Sequence, residues 1–160
     1  MKIELINFID MSLDEKKMVL EWRNHKDIRK YMYNREIISW ENHLKYIEYL
    51  DGLRSKRYFL VKKDSEYIGT IDFTGIDLDK KETYLGLYAK PNLKGVGDIL
   101  MSSIIDYAFN SLKIDILKLE VLESNKRAIN LYKRFDFKEF DRKIVNGKEM
   151  ICMEIRSEDW

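Results

Sequence analysis

The stretch Lys90-Pro91-Asn92-Leu93-Lys94-Gly95-Val96-Gly97-Asp98 decides the fold, because a β-type run ends at it and a long apolar-periodic helix begins after it. Gly95 and Gly97 lie one residue apart, and glycines let the backbone approach a ligand and adopt dihedral angles that a Cβ opposes. Successive N–H groups and the first turn of the helix then favour an anion. The same spacing also occurs in turns that only tighten a strand-to-helix connection. The stretch alone therefore predicts either an anion cradle, formed by residues 92–97, or a tight turn.

Length and composition exclude several classes of protein. The 160 residues suit one domain, residues 1–160, with a sizeable core. The 29 basic and 28 acidic side chains leave a net charge of +1, so neither nucleic acid nor a membrane surface is an expected partner. With one cysteine, Cys152, and two histidines, an internal disulfide is impossible and no metal site is expected. The chain has no apolar run of membrane-spanning length and no signal-peptide pattern at its start, so we expect a cytoplasmic protein.

Hydrophobic periodicity divides the chain into helices and strands. Alternation predicts strands at 2–8, 57–63, 67–76, 82–89 and 116–122, and two more on either side of the hairpin signal Asn146-Gly147. Helical spacing predicts helices at 12–24, 27–33, 39–53, 96–110 and 125–135, the first with a Ser12 and Glu15 capping box. Because a helix separates strand 82–89 from strand 116–122, the two should be parallel neighbours. This order predicts an α/β fold with a mixed sheet of about seven strands.

Two motifs connect the glycine stretch with a known family. Asn92-Leu93-Lys94-Gly95-Val96-Gly97 resembles the phosphate-binding signature of the GNAT family of N-acetyltransferases, in which Gln or Arg stands at the position of Asn92. One strand later, the stretch from Asn125 to Phe137 resembles the family's Asn-x-x-Ala-x-x-Leu-Tyr-x-x-x-Gly-Phe, with Asp136 in place of glycine. The resemblance covers nearly the whole chain. It implies a single-domain GNAT fold around a mixed, mostly antiparallel sheet, with acetyl-coenzyme A as the acetyl donor.

The resemblance also implies where the coenzyme binds. The N–H groups of Gly95, Val96 and Gly97 would hold its pyrophosphate, and the strand before them would pair with the pantetheine amides. Asp98, in the first turn of the helix, is expected to point away from the pyrophosphate and to be offset by Lys94 or Lys90. The coenzyme-binding residues are then Leu87, Tyr88, Asn92, Lys94, Gly95, Val96, Gly97 and Asn125.

Acetyl transfer to an amine needs a proton acceptor and a proton donor. Strand alternation favours Glu120 facing a cleft, where it would take the amine's proton, although a solvated glutamate paired with Lys118 fits the same pattern. Tyr132 stands at the matching position of the second motif and would resemble the family's general acid, which protonates the departing thiolate. As a plain residue, Tyr132 also fits a core position on the same helix. We therefore expect Glu120 and Tyr132 to be the catalytic residues.

Three further stretches narrow the resemblance to a substrate class. They are Glu21-Trp22-Arg23-Asn24-His25, Tyr58-Phe59-Leu60 and Gly86-Leu87-Tyr88-Ala89-Lys90-Pro91. Together they resemble family members that acetylate the 4-amino group of a UDP-linked 4-amino-4,6-dideoxy-N-acetyl-altrosamine in pseudaminic acid biosynthesis. The Trp-Arg-Asn element is shared with members that act on ribosomal-protein N-termini, so it supports the family better than the substrate. A ribosomal-protein N-terminus, another small amine, and a coenzyme-binding module without turnover are the alternatives.

A nucleotide-sugar would require groups that bind a diphosphate and an apolar wall. Arg23 and His43 are the candidates for the diphosphate or the uridine, and Met32, Tyr33 and Tyr88 for a wall against the 6-deoxy sugar. The same aromatic residues also fit an ordinary core. The closing hairpin offers an edge for self-pairing, so the chain is expected to be a monomer or a homodimer.

Overall fold

The computed structural model describes residues 1–160 and contains a single seven-stranded sheet. Its strands are β1 (Ile3–Asn7), β2 (Arg57–Lys63), β3 (Glu66–Asp77), β4 (Glu82–Ala89), β5 (Ile116–Leu122), β6 (Lys138–Val145) and β7 (Lys148–Arg156). They lie in the order β1-β2-β3-β4-β5-β7-β6, and every neighbouring pair is antiparallel except β4 with β5. The predicted mixed, mostly antiparallel sheet and the parallel pairing across the glycine stretch are both confirmed.

Five α-helices accompany the sheet: α1 (Leu13–Asn24), α2 (Lys26–Arg29), α3 (Trp40–Leu50), α4 (Gly97–Asp106) and α5 (Lys126–Arg134). The predicted capping box of α1 is present, with the Ser12 hydroxyl accepting from the Glu15 N–H at 3.1 Å and the Glu15 carboxylate accepting from the Ser12 N–H at 2.9 Å. Helix α4 continues into a π-helical turn, Tyr107–Ser111. Helix α3 ends before the predicted residue 53, because Gly52 follows with φ of +76°.

The helix predicted at 27–33 is wrong beyond its first turn. The Arg29 side chain turns back, with Nε donating to the Asn24 carbonyl at 2.8 Å and Nη1 donating to the Arg35 carbonyl at 3.0 Å. The Asn24 amide is also bonded to both the N–H and the C=O of Ile38. These bonds hold residues 30–38 as an irregular loop, which we call the α2–α3 loop, and they replace the helical hydrogen bonds that would otherwise continue.

The sheet separates two apolar cores. The larger core lies between the sheet and helices α4 and α5, and includes Phe73, Leu100, Ile104 and Leu117, each fully buried. The smaller core lies on the other side under α1 and α3; it includes Phe8, Val19, Trp22, Ile47 and Leu60. Strand alternation assigns neighbouring residues to opposite cores, since Leu60 belongs to the smaller core and Phe59 and Val61 to the larger.

The middle of the sheet is open on one side. Strands β4 and β5 pair only where they begin, at Glu82 with Ile116, Thr83 with Leu117 and Tyr84 with Lys118. Residues 85–89 of β4 continue to pair with β3, and residues 119–122 of β5 with β7, but not with each other. The strands therefore diverge and leave unpaired backbone groups on both sides of a gap. None of the helices is both long and apolar enough to cross a membrane.

Candidate active site

A cleft of about 1200 Å³ occupies the gap between β4 and β5. It is lined by the α2–α3 loop, by β3, β4 and β5, by the start of α4 and by α5. This volume exceeds the roughly 300–1,000 Å³ of a typical small-molecule site, so the cleft has room for two substrates. Nineteen of its 37 lining residues are hydrophobic, and the polar ones include residues of the glycine stretch, Glu120 and Asp72.

The anion cradle lies at one end of this cleft. Gly95 has φ of +82°, which favours glycine, and Asn92 has φ of +68°, which asparagine tolerates better than most residues. Helix α4 starts at Gly97, and its N-cap, Val96, has no side chain that bonds the first N–H groups. Those donors are therefore available to an anion. Gly97 serves packing, because a Cβ there would lie 3.3 Å from the Leu131 side chain.

Two departures from the family motifs have structural explanations. The Asp98 carboxylate is offset by Arg134, with Oδ1 2.6 Å from Nη2, and not by the predicted Lys94 or Lys90. Helix α5 therefore supplies the compensating charge. Asp136, which stands where the family has glycine, has φ of +67°, within the region that glycine favours. Aspartate is one of the residues that reach this region at modest cost, so the turn after α5 keeps a glycine-type conformation.

The coenzyme-binding residues predicted from the motifs all line the cleft. Leu87 and Tyr88 lie on the part of β4 that pairs with β3 but not with β5, beside the gap. Asn125 is the N-cap of α5, and its side-chain oxygen accepts from the Ala128 N–H at 3.3 Å. This cap holds the Asn125 side chain against the first turn of α5, at the lining of the cleft.

Tyr132 reaches the cleft from α5. Its side chain is only 8% exposed, and its ring packs 6.0 Å from the ring of Phe137. Burial, reinforced by the negative charge of Asp72, raises the pKa of Tyr132 above its ordinary value. The phenol therefore stays protonated at neutral pH, which is the state required of a proton donor.

Glu120 faces the cleft on β5 but is already engaged. The Tyr33 hydroxyl donates to one carboxylate oxygen and the Lys143 ammonium pairs with the other. The interaction with Glu120 raises the pKa of Lys143. The pKa of Tyr33 is also raised, mainly by burial and secondly by its hydrogen bond to Glu120. The alternative pairing of Glu120 with Lys118 does not occur, because Lys118 pairs with Glu82 at 3.0 Å. Glu120 therefore joins the α2–α3 loop to β5 and β6.

The residues predicted for the acceptor divide into three groups. Met32, Tyr33 and Tyr88 line the cleft. Arg23 lies behind its wall, where Nη2 donates to the Asn34 carbonyl at 2.9 Å and Nη1 is buried without a hydrogen-bond partner. Burial lowers the pKa of Arg23 but leaves it charged, since arginine titrates far above neutral pH. His43 does not line the cleft at all.

His43 instead joins α3 to α1. It is 7% exposed, and its Nε2 lies 2.9 Å from the carbonyl oxygen of Lys16. The predicted role of His43 in binding a diphosphate or uridine does not match this position. The ring packs inward because His43 shares one face of α3 with the buried Ile47 and Leu50, which belong to the smaller core.

The position of His43 makes stability depend on pH. Burial lowers the pKa of His43, so the folded state favours the neutral ring. The stabilisation is complete above the unfolded pKa of about 6.5 and is lost as the pH falls through the lower folded value. Between about pH 7.5 and 5.5, Tm should therefore fall less in His43→Gln than in the original chain. The measurement is thermal unfolding across that range, with His25→Gln at the α2 N-cap as the control. An equal fall in all three proteins would contradict this assignment.

Asp72 was missed by the sequence analysis. It lies on β3 opposite Gly86 of β4, faces the cleft, and has a pKa that burial raises to about 7. The only sequence signal was a carboxylate between two apolar residues, Ile71 and Phe73, in the middle of a predicted strand. No group of three or more His, Cys, Asp or Glu side chains is arranged to hold a metal ion.

Comparison with known proteins identifies the family. The model of the acetyltransferase (GNAT) family matches residues 19–137. Acetyltransferase PseH of Campylobacter jejuni is 44% identical over 139 residues, which are 87% of this chain and 87% of that protein. The crystal structure of C. jejuni N-acetyltransferase PseH in complex with acetyl coenzyme A has a TM-score of 0.82 and 39% identity, covering 98% of this chain and 99% of that one. Spermidine N-acetyltransferase from Vibrio cholerae, in complex with CoA and spermine, shares the fold with a TM-score of 0.87 at 19% identity, covering 98% of this chain and 96% of that one. The chain therefore belongs to the acetyltransferase (GNAT) family.

Proposed function

We propose that the protein transfers an acetyl group from acetyl-CoA to the 4-amino group of a UDP-linked 4-amino-4,6-dideoxy sugar. The observation that carries this proposal is the gap between β4 and β5, which leads directly to the anion cradle at the start of α4. Similarity to PseH, whose complex contains acetyl coenzyme A, supports the donor. The acceptor is supported by the sequence resemblance and by the aromatic wall of the cleft.

The donor would bind as an extra strand. The pantetheine amides would pair with the free backbone groups of residues 85–89, while the pyrophosphate would accept from the N–H groups of Gly95, Val96 and Gly97. An unpaired β4 N–H next to the thioester would stabilise the oxyanion that forms when the carbonyl is attacked. Tyr132, protonated and buried beside the gap, would then protonate the departing thiolate.

The acceptor would enter from the side of the α2–α3 loop. Met32, Tyr33 and Tyr88 offer a partly apolar surface that suits a sugar with a methyl group at C6. The charge of Arg23 lies just behind this surface, with one nitrogen still unpaired, and would attract the diphosphate. Holding amine and thioester in one cleft would supply more of the rate than any single proton transfer.

The substrate class is tested by coenzyme A release from acetyl-CoA with a panel of acceptors. We expect release with UDP-4-amino-4,6-dideoxy-N-acetyl-altrosamine and none with UDP-N-acetylglucosamine, which lacks a free amine and serves as the matched control. Release with a ribosomal-protein N-terminal peptide or a polyamine, and none with the amino-sugar, would overturn the acceptor while leaving the chemistry intact. Tight coenzyme binding without release for any amine would indicate a binding module.

The predicted cytoplasmic location and the predicted monomer or homodimer stay predictions. Strand β6, at the edge of the sheet, exposes Phe140 and Ile144, at 45% and 77% of their surface. An edge of this kind is available for pairing with a second copy.

A further inference from the structure

A second carboxylate, Asp72, faces the cleft on the side of the gap opposite Glu120. Its strand neighbours across the sheet are Tyr58 on β2 and Gly86 on β4, so the three residues form one row on the same face. Tyr84 and Tyr88 of β4 alternate with Gly86 and lie on the same face of the sheet. Tyr84 pairs with Lys118 of β5, so Glu120, two residues further along β5, also lies on this face, across the gap. Asp72 therefore lies on the acceptor side of the divergent strands.

Gly86 creates the space in which the Asp72 carboxylate lies. A Cβ at position 86 would come within 2.4 Å of Asp72 Oδ2 and 2.8 Å of Oδ1. Gly86 has no positive φ, so its conformation alone does not require glycine. Because Gly86 has no side chain, the Asp72 carboxylate can lie against the backbone of β4, the strand that would hold the thioester.

The Asp72 carboxylate has no directly bonded side-chain partner within the chain. It makes no hydrogen bond or ion pair with another side chain, and the positive charge that acts on it is that of Lys56, just before β2. The titratable groups around it are Tyr58 on β2, Tyr88 on β4 and Tyr132 on α5, with Arg23 of α1 behind Tyr58 and Tyr88. Its charge contributes to the raised pKa of each tyrosine, and all three stay neutral near pH 7.

Both oxygens of Glu120 are already engaged within the chain. One accepts from the Tyr33 hydroxyl and the other is paired with the Lys143 ammonium, so neither is free to contact an incoming amine. Asp72 has no such bonds, and its pKa of about 7 is matched to abstraction of a proton from an amine at neutral pH.

We propose that Asp72, lying over Gly86 at the divergence of β4 and β5, is the proton acceptor for the acceptor amine, whereas Glu120 positions the α2–α3 loop. This inference rests on the proposed function. The ammonium form of the acceptor gives one proton to Asp72, and the neutral amine attacks the thioester carbonyl carbon, forming the C–N bond. When the C–S bond breaks, Tyr132 protonates the thiolate and recovers a proton from the amide nitrogen. The products are the N-acetyl sugar and coenzyme A, and Asp72 returns its proton to water.

The test compares the pH profiles of Asp72→Asn, Glu120→Gln and the original chain, measured as kcat/KM for coenzyme A release. The original chain should lose activity below about pH 7 along a limb with a slope of one. In Asp72→Asn we expect kcat to fall about 100-fold, with the limb abolished or moved to the pKa of the amine, and acetyl-CoA affinity unchanged. Glu120→Gln should keep the limb and mainly raise the KM of the acceptor. Asp79→Asn, in the exposed turn after β3, is the matched control.

Gly86→Ala provides a second, independent variant, because it displaces the carboxylate without removing it. It should lower kcat in the same direction as Asp72→Asn. An unchanged acidic limb in Asp72→Asn, or its loss in Glu120→Gln alone, would overturn the assignment. If the original chain releases no coenzyme A with the amino-sugar but does so with another amine, the proposed acceptor fails. The same three profiles, measured with that amine, then still decide the role of Asp72.

Discussion

Replacement of Tyr132 by phenylalanine is expected to lower kcat for acetyl transfer about 100-fold, or about 2.7 kcal/mol in activation free energy. The substitution removes only the hydroxyl, which belongs to a buried ring whose pKa lies above the ordinary value. Without it, the thiolate leaves unprotonated or takes a proton from water. Because the ring still packs against Phe137, the affinity for acetyl-CoA should be unchanged. Steady-state kinetics, together with coenzyme titration, measure both quantities.

The matched control is Tyr107→Phe. Tyr107 also packs against the larger core, and its hydroxyl accepts from Arg57 Nη1 at 2.6 Å, outside the cleft. Loss of this hydroxyl should cost some stability and leave kcat unchanged. Equal kcat values for Tyr132→Phe and the original chain would contradict the role of Tyr132 as general acid and would indicate that it is an ordinary core residue.

Gly95→Ala should weaken acetyl-CoA binding at least about tenfold, which is about 1.4 kcal/mol. A Cβ at Gly95 meets nothing within 4 Å in the chain, so it projects into open space at the cradle. That is the space which a pyrophosphate would occupy. Alanine at φ of +82° is also strained, and relief of this strain would turn the N–H groups away from the anion. Isothermal titration with acetyl-CoA and with free coenzyme A measures the change.

Gly147→Ala is the control for backbone strain. Gly147 has φ of +75° and also has nothing within 4 Å of an added Cβ, but it lies in the β6–β7 hairpin. Both variants should therefore lose a similar amount of stability, of order 1 kcal/mol. Only Gly95→Ala should lose coenzyme affinity. A parallel loss in the two variants would show that the strain acts through the whole fold and not at the cradle.

Elements governed by local chemistry were predictable from the sequence. The capping box of Ser12 and Glu15, the Asn146-Gly147 hairpin and strand β5 all depend on neighbours a few residues away, and each occurs where the pattern indicates. The two motifs were informative for the same reason, since each combines a turn and a helix start within one short stretch. Residues of both motifs line the cleft.

Features that depend on distant contacts were not predictable in this way. The α2–α3 loop is irregular because Asn24 and Arg29 bond its backbone, and no periodicity reveals bonds of that kind. His43 faces Lys16, and Glu120 faces Tyr33 and Lys143, and in each case the partner lies on another element that is distant in the sequence. Asp72 was missed because a strand pattern gives its face but not the empty space above Gly86, which only the pairing register of β3 with β4 defines.

The divergence of β4 and β5 interrupts the hydrogen-bonded ladder of the sheet. Only three residue pairs join strands β1 to β4 with strands β5 to β7, so the larger core, which contains residues of both parts, holds them together more than the ladder does. A donor paired with β4 would also lie against Tyr132 of α5, which follows β5, and would fill the interrupted length of the ladder. Because such a ligand binds only the folded chain, its binding energy would add to the stability of the fold where the ladder contributes least.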